Sequence, residues 1–205
     1  MKEFLALHEE KQTTILNAAL QCFGKHGYDK ASVNDIAKAA HISKASIFQY
    51  FGSKKNLYCY LIEYCANIMI EALDQRSLDA ETDLFDRILA ASLLKVAALK
   101  KHPALSLFIS SVWAEGSPEV KDVVAAVVER SNAFRTDLVL REEDAEKFKH
   151  PEDARTVLQI LVLMAEGVAA RYRNTGVFAL DEITEEFERA VAALRRSFYK
   201  EAYLP

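Results

Sequence analysis

The chain has 205 residues, of which 51% are hydrophobic and 27% are charged, and its net charge is −4. This composition fits a globular protein of one or two domains with a sizeable core, and no uninterrupted apolar run reaches the roughly 18 residues of a membrane span. Glycine and proline are scarce, with 6 and 4 residues, so long helices are favoured over a turn-rich β fold.

The charge is divided unevenly along the chain. Residues 1–56 carry eight lysines, no arginine and five acidic residues, for a net charge of +3, whereas residues 57–205 carry 18 basic and 25 acidic residues, for −7. A basic head on an acidic body is typical of a protein that binds nucleic acid through the head only. We predict two domains, 1–56 and 57–205, with DNA binding assigned to the first.

The first predicted helix spans about 8–25, and Gly27 is expected to end it in a left-handed conformation. A second helix begins after Ser32, a good N-cap residue. Apolar residues then recur at the spacing of one helix face as far as Ala40. The pattern predicts a short helix that packs on the first one.

A third helix is predicted over about 44–50, with Ser43 as its N-cap and His41 in the turn before it. At about 100° per residue its apolar side chains share one face and its small and polar side chains share the other. The inward residues are Ile47, Tyr50 and Phe51, and the outward residues are Ala45 and Gln49, flanked by Ser46 and Phe48. Two short helices joined by a tight turn indicate a helix-turn-helix at about 32–51.

The stretch ASVNDIAKAAHISKASIFQYFGSKKNLYCYLI, residues 31–62, resembles the DNA-binding signature of the TetR-type bacterial transcriptional regulators. The resemblance covers about the first quarter of the chain. The elements that carry it are Ser32, Ile36-Ala37, Phe48-Gln49-Tyr50-Phe51 and Lys54. It implies an all-α protein, with an N-terminal three-helix helix-turn-helix DNA-binding domain joined to a helical ligand-binding and dimerisation domain.

Two positions depart from the family pattern. His41 stands where the family usually has glycine, which predicts a positive φ at a non-glycine residue. Phe48 stands where the family usually has tyrosine, so this side chain has no hydroxyl for a phosphate, and an apolar contact with a thymine methyl group is expected instead.

The third helix is expected to enter the major groove of duplex DNA. Its amide side chain, Gln49, could bridge N6 and N7 of an adenine, and Ala45 and Phe48 could contact thymine methyl groups. Lys54 begins the next helix, where a nearby phosphate would explain its position; a solvated surface lysine is the alternative. The predicted DNA-binding residues are Ser32, Ser43, Lys44, Ala45, Ser46, Phe48, Gln49, Tyr50 and Lys54.

The body is predicted to be helical throughout, with one polar loop at 74–82. A break near Arg141 is expected inside its longest helix. The predicted helices are 54–73, 83–101, 103–115, 118–149, 152–174 and 182–199.

The helix at 152–174 is apolar on nearly all sides and must be covered on all sides. In the resembling family the last two helices of each subunit form a four-helix dimer interface, so we predict a homodimer; a core within one chain is the alternative. The predicted interface residues are Leu161, Ala165, Val168, Phe187, Val191, Leu194 and Phe198.

An aromatic-rich stretch in the middle of the body, 105–113, suggests either ordinary core or the effector cavity that the resemblance implies. Glu166 is a charged residue inside an apolar helix, where three readings stay open: an interface ion pair, a pocket group, or partial exposure. The predicted effector-binding residues are Leu105, Phe108, Ile109, Val112, Trp113, Phe134, Met164, Glu166 and Tyr172.

The function predicted is that of a ligand-responsive transcriptional regulator. It would be a homodimeric repressor that binds a palindromic operator in double-stranded DNA and is released by a small apolar effector. A DNA-binding regulator whose body only dimerises, with no effector, is the alternative. Sequence motifs of metalloproteases, phosphate loops and hydrolase nucleophiles are missing and no Cys-His grouping suggests zinc, so neither enzymatic activity nor a metal or cofactor is expected.

Location is predicted from the N-terminus and the cysteines. The first residues lack the apolar region of a signal peptide, and the three cysteines are odd in number and form no CxxC pair. We expect a cytoplasmic bacterial protein that does not associate with membranes.

Overall fold

The computed structural model describes residues 1–73, 75–173 and 180–204, with the backbone alone described at 75–77, 132–135, 137, 166 and 169–173. Helices supply the secondary structure of these ranges, apart from one isolated bridge between Phe148 and Tyr199. The predicted all-α fold class is therefore confirmed. The α-helices are α1 (Lys2–Leu5), α2 (Glu9–Lys30), α3 (Val33–Ala39), α4 (Lys44–Phe51), α5 (Lys54–Glu71), α6 (Gln75–Ala80), α7 (Leu84–Lys101), α8 (Pro103–Val112), α9 (Lys121–Val139), α10 (Asp153–Arg173) and α11 (Leu180–Phe198), with 3₁₀ turns at Glu142–Lys147 and Glu201–Tyr203.

The predicted loop at 74–82 is wrong, because helix α6 lies within it. The guanidinium of Arg141 donates to the carbonyl oxygen of Leu78 at 3.3 Å, and that of Arg87 donates to the carbonyl oxygen of Glu81 at 2.9 Å. Carbonyl groups at a helix C-terminus have no partner within the helix. Arg87 in the following helix and Arg141, 63 positions after Leu78, therefore stabilise this helix, whose own residues carry no strong helix signal.

The predicted helix at 118–149 is also too long. Helix α9 ends at Val139, and a separate 3₁₀ turn follows at Glu142–Lys147. The side chain of Asp144 accepts the backbone N–H of Arg141 at 2.9 Å. This contact caps the turn, and it places the break close to the predicted position at Arg141.

The first predicted helix, α2, is preceded by the short helix α1. Its helical backbone is interrupted at Gly27, close to the predicted end, and one further turn reaches Lys30; Gly27 has φ 68° and ψ 179°. The positive φ predicted for Gly27 is confirmed, but this ψ makes the residue extended and not left-handed helical. A glycine permits this conformation at low cost because it has no Cβ.

The chain forms two compact units, each built from two segments. The first unit consists of Met1–Ile68 and Lys101–Glu129, and the second of Met69–Lys100 and Arg130–Pro205. The domain boundary predicted between residues 56 and 57 stays a prediction.

In the first unit, α2 packs along α8, and Gly24 lies at their closest approach. A Cβ at Gly24 would fall 2.7 Å from the Cγ of Leu107 and 3.0 Å from the backbone nitrogen of Phe108, so a larger residue would force the helices apart. An aromatic cluster fills the space beside this crossing. Its members are Phe23, Tyr28, Tyr58 and Phe108, with neighbouring ring centroids 5.0–6.4 Å apart.

In the second unit, the core is formed by α7, α10, α11 and the segment that follows α9. The rings of Phe85 and Phe148 each lie 4.9 Å from the ring of Tyr199. The Lys149 N–H donates to the carbonyl oxygen of Phe198 at 2.8 Å. These contacts tie the end of α11 to the 3₁₀ turn at Glu142–Lys147.

Asp83 organises the polar edge of this core. Its carboxylate accepts from the ammonium of Lys147 and from the hydroxyl of Tyr199, both at 3.1 Å, and it forms an ion pair with Arg195. Burial alone would raise the pKa of Asp83, but the hydrogen bond from Lys147 and the nearby positive charges outweigh it and lower this pKa below its usual value.

None of the helices in the described ranges is both long and apolar enough to cross a bilayer.

Candidate DNA-binding helix-turn-helix

Helix α3 begins as the sequence predicted. The Oγ of Ser32 accepts the backbone N–H of Asp35 at 3.3 Å, which is an N-cap hydrogen bond. Val33, Ile36 and Ala37 are buried, so the apolar face of the helix is turned into the first unit. The predicted cap at Ser32 is confirmed.

The turn between α3 and α4 has the hydrogen bonds of a Schellman motif. The Ile42 N–H donates to the carbonyl oxygen of Ala37 at 3.0 Å, and the His41 N–H donates to that of Lys38 at 3.1 Å. His41 has φ 54°, which confirms the predicted positive φ at a non-glycine residue. The ammonium of Lys11 lies 3.4 Å from the carbonyl oxygen of Ala40 and so supports the turn from α2.

Helix α4, the second helix of the helix-turn-helix, is capped at both ends. The Ser43 Oγ accepts the Ser46 N–H at 3.0 Å, which confirms the predicted N-cap. Gly52 has φ 78° and its N–H donates to the carbonyl oxygen of Phe48 at 2.7 Å, which ends the helix. The helix between these two caps has eight residues.

Helix α4 has an inner and an outer face. Ile47 is fully buried and Phe51 nearly so, and these two side chains attach the helix to the first unit. The outer side chains are exposed, with Phe48 at 38%. The ammonium of Lys44 lies 5.9 Å from the centre of the Phe48 ring, at cation–π distance. The structure thus brings together, on one solvent-facing surface, Lys44, Ala45, Phe48 and Gln49.

The remaining predicted DNA-binding residues have partners within the chain. Ser32 and Ser43 are caps, and the hydroxyl of Ser46 lies 2.8 Å from that of Ser43. Tyr50 is half-buried. The ammonium of Lys54 donates to the carbonyl oxygen of Asp29 at 3.1 Å and lies 4.8 Å above the ring of Tyr28. A phosphate contact by Lys54 stays a prediction.

A carboxylate that sequence reasoning missed holds the end of α2. The two oxygens of Glu115 accept the N–H of Tyr28 at 2.7 Å and that of Ser117 at 2.9 Å. The Ser117 hydroxyl in turn donates to the carboxylate of Asp29 at 2.7 Å. Burial and a hydrogen bond to Glu119 raise the pKa of Tyr28 well above its usual value, so its phenol stays protonated. No local pattern marks the contact between Glu115 and Tyr28, because the two residues lie 87 positions apart in the chain.

The predicted effector-binding residues fall into several environments. Leu105, Phe108 and Val112 are buried in the first unit, where Phe108 belongs to the aromatic cluster, and Ile109 and Trp113 are partly exposed. Met164 belongs to the second unit and is half-buried. The side chains of Phe134, Glu166 and Tyr172 lie outside the described residues. Effector binding by this set stays a prediction.

The residues predicted to form the dimer interface differ in how far their own chain buries them. Leu161, Val168 and Val191 are buried by their own chain, and Phe187, Leu194 and Phe198 are partly buried against the core of the second unit. Ala165 is exposed. Among the side chains of α10 that the structure describes, the large apolar ones left at the surface are Ile160, at 40% exposure, and Leu163, at 67%.

The helix-turn-helix coincides with a known family pattern. Residues 15–60 match the family described as bacterial regulatory proteins, tetR family. The chain is 27% identical to the HTH-type transcriptional repressor Rv1474c of Mycobacterium tuberculosis over 169 residues, 78% of this chain and 81% of that protein. Other curated repressors match over 51–64 residues, so the match spans 27–34% of their length.

Solved structures share the whole fold. A TetR family transcriptional regulator from Chloroflexus aurantiacus superposes with a TM-score of 0.72 at 21% identity, covering 98% of this chain and 99% of that one. The regulator FadR from Bacillus subtilis, solved in complex with stearoyl-CoA, superposes with a TM-score of 0.70 at 14% identity, covering 87% and 96%. Both have the architecture described above for this chain.

Proposed function

We propose that this chain, which belongs to the TetR family of bacterial regulatory proteins, acts as a transcriptional repressor that reads duplex DNA through α4, the reader helix. One observation carries the proposal. The reader helix buries Ile47 and Phe51 and turns Lys44, Ala45, Phe48 and Gln49 to solvent, as a helix that enters a major groove must.

The outer face of α4 offers a defined set of contacts. The Gln49 amide matches the N6 and N7 edge of adenine, and Ala45 and Phe48 match thymine methyl groups. Lys44 would bind a phosphate. Because residues 1–56 contain eight lysines and no arginine, lysines supply the salt-dependent, sequence-independent part of the affinity.

The repressor would act as a homodimer. Ile160 and Leu163 give α10 an apolar strip at the protein surface, and a second copy of the chain covering this strip is the arrangement expected of the family. A two-fold axis would present two reader helices to successive major grooves, about 34–36 Å apart, so the operator should be palindromic.

Gln49→Ala is expected to relax base preference at one position in each half-site, at a cost of about 1–3 kcal/mol there, because the bidentate adenine contact is lost. The measurement is selection from a random duplex library with the full-length wild type, followed by titration of single-base operator variants with both proteins.

Lys44→Ala is the control for the Gln49 experiment. It should weaken binding to every sequence evenly and reduce the steepness of the salt dependence by about one phosphate contact per subunit. If Gln49→Ala leaves all base preferences intact, Gln49 does not read bases. If selection with the wild type enriches no duplex sequence at all, the proposal that the protein is a repressor is wrong.

Regulation by a small apolar effector is the second part of the proposal. Its support is the fold shared with FadR from Bacillus subtilis, which was solved with stearoyl-CoA. An effector acts only through its different affinities for the DNA-bound and free arrangements, and a coupling of about 1–3 kcal/mol changes operator affinity roughly 5- to 150-fold. A regulator without an effector, whose body only dimerises, is the competing proposal.

Titration with stearoyl-CoA and free fatty acids, with and without operator, separates these two proposals. Linkage requires that operator DNA weaken effector binding by the same factor by which the effector weakens operator binding. Fluorescence of Trp113, the single tryptophan, gives the signal. A compound that binds equally tightly with and without operator is not an inducer. If every compound tested binds equally tightly in both cases, the regulator without an effector is favoured.

A further inference from the structure

Phe4 closes an aromatic cluster over the end of the reader helix. It is fully buried, although the next residue, Leu5, is 57% exposed. The Phe4 ring centroid lies 4.8 Å from that of Phe51, 5.7 Å from that of Tyr60 and 6.2 Å from that of Tyr50. Two of these partners are the last residues of α4, so one ring from α1 contacts the end of the helix whose outer face reads DNA.

The backbone that follows Phe4 is held in place from α2. The Gln12 amide nitrogen donates to the carbonyl oxygen of Leu7 at 2.9 Å and to that of Leu5 at 3.3 Å. The Leu7 N–H donates back to the carbonyl oxygen of Phe4 at 3.1 Å. The segment 1–7 is therefore held in place both by the ring of Phe4 and by the backbone of Phe4, Leu5 and Leu7. All of these residues belong to the first compact unit.

The reader helix needs support of this kind. A helix of eight residues is too short to be stable by itself, so its position depends on what it packs against. Phe51 anchors its C-terminal end, and the Phe51 ring packs against Phe4 and, at 5.6 Å, against Tyr60. Binding groups must be held within about 0.5 Å of their working position. Loss of the Phe4 ring would loosen the end of α4 that carries Phe48 and Gln49.

We propose that the segment 1–7 is a positioning element for the reader helix and that it acts through Phe4. The inference rests on the proposed reading of DNA by α4. The matched family pattern begins at residue 15, so this segment lies outside it. In this role Phe4 does not touch DNA; it is a positioning residue that sets where Gln49 and Phe48 meet the base edges.

Amide hydrogen exchange in the full chain tests the positioning without DNA. In Phe4→Ala, the amides of the last turn of α4 and of Gly52 should exchange about tenfold faster or more, because local opening of this end costs less free energy. Amides of α3 and α8 should keep their wild-type rates. Leu5→Ala, which removes an exposed side chain from the same turn, is the matched control and should behave as the wild type. Phe4→Leu, which keeps an apolar side chain, should lie between.

Titration with an operator selected by the wild type tests the functional consequence. Phe4→Ala should bind this operator about 5- to 150-fold more weakly, as when a base contact is misplaced, while its affinity for random-sequence duplex should change by about twofold or less. Leu5→Ala should match the wild type on both duplexes. A merely structural role for Phe4 would lower both affinities together and would leave their ratio unchanged.

Several outcomes would overturn the inference. These are unchanged exchange at the end of α4, an equal loss on operator and random duplex, or the same effects in Leu5→Ala. If Trp113 fluorescence shows that Phe4→Ala has unfolded the first unit, Phe4→Leu carries both tests. Failure of the proposed function looks different: the wild type then enriches no duplex sequence, and hydrogen exchange still decides whether Phe4 positions the helix.

Discussion

Leu163→Glu is expected to convert the protein into a folded monomer that has lost most of its affinity for operator DNA. The Leu163 side chain is 67% exposed in the single chain, so a carboxylate there costs the fold of one subunit little. In a homodimer closed through this face, the same carboxylate would be buried against apolar side chains, at a cost of about 2 kcal/mol or more per subunit.

Helix α10 has two apolar faces, and Leu163 lies on the one that its own chain leaves open. One face is buried in the core of the second unit and comprises Ala154, Val157, Leu158, Leu161 and Val168. The other carries Ile160, Leu163 and Met164 at helical spacing and continues to Gly167, where nothing lies within 4 Å of an ideal Cβ. A second helix could therefore approach closely at Gly167, and Leu163 stands on the strip that it would cover.

Leu93→Glu is the matched control for Leu163→Glu. Leu93 lies on α7 of the same unit and is 49% exposed, so the substitution adds the same charge at another leucine of the surface. Sedimentation velocity over the micromolar range should show monomers for Leu163→Glu and dimers for Leu93→Glu. In operator titration, Leu163→Glu should lose most of its affinity and Leu93→Glu should keep it. Dimers from both variants would contradict an interface on this face of α10.

Arg87→Met is expected to destabilise the second unit by about 3–5 kcal/mol, the cost of leaving one member of a buried ion pair without its partner. The side chains of Arg87 and Asp144 are both fully buried and form an ion pair. Arg87 also donates to the carbonyl oxygen of Val139 at 3.0 Å and to that of Glu81 at 2.9 Å. Methionine fills a similar volume but satisfies none of these three acceptors.

Urea denaturation followed by both far-UV circular dichroism and Trp113 fluorescence measures this effect. Trp113 belongs to the first unit, so a lower midpoint in the dichroism that is not matched by the fluorescence places the loss in the second unit. Protein concentration is kept constant, because dimerisation would itself shift the midpoint. The double variant Arg87→Met, Asp144→Asn should recover part of the loss, since it removes both buried charges and keeps an acceptor for the Arg141 N–H.

Arg189→Met is the control for the buried pair. Arg189 forms an ion pair with Glu185 at 3.7 Å, but both side chains are 71% exposed. An exposed pair of this kind contributes about 0.5 kcal/mol or less, because water screens the charges. If Arg87→Met and Arg189→Met lowered the midpoint equally, burial would not be the source of the stability of the Arg87–Asp144 pair.

The helix-turn-helix is the part of the protein that the sequence determined by itself. Its caps at Ser32 and Ser43 bond to N–H groups three residues away, and the positive φ of His41 closes a turn over the preceding helix. These interactions join residues within about five positions of each other, so residue type and spacing are sufficient to predict them. The outward face of α4 follows from the same helical periodicity.

Only the tertiary structure decided the features whose partners lie far along the chain. Helix α6 forms in a segment that the sequence predicts to be a loop, because Arg141, 63 positions later, binds the carbonyl oxygen of Leu78 near its end. Periodicity predicted that α10 is apolar nearly all round, but not that Leu161 faces its own core while Leu163 faces solvent. In the sequence Phe4 is an ordinary apolar residue, and only the structure shows that its ring packs against that of Phe51, 47 positions later. Such contacts depend on loop closure and packing, which local residue patterns do not record.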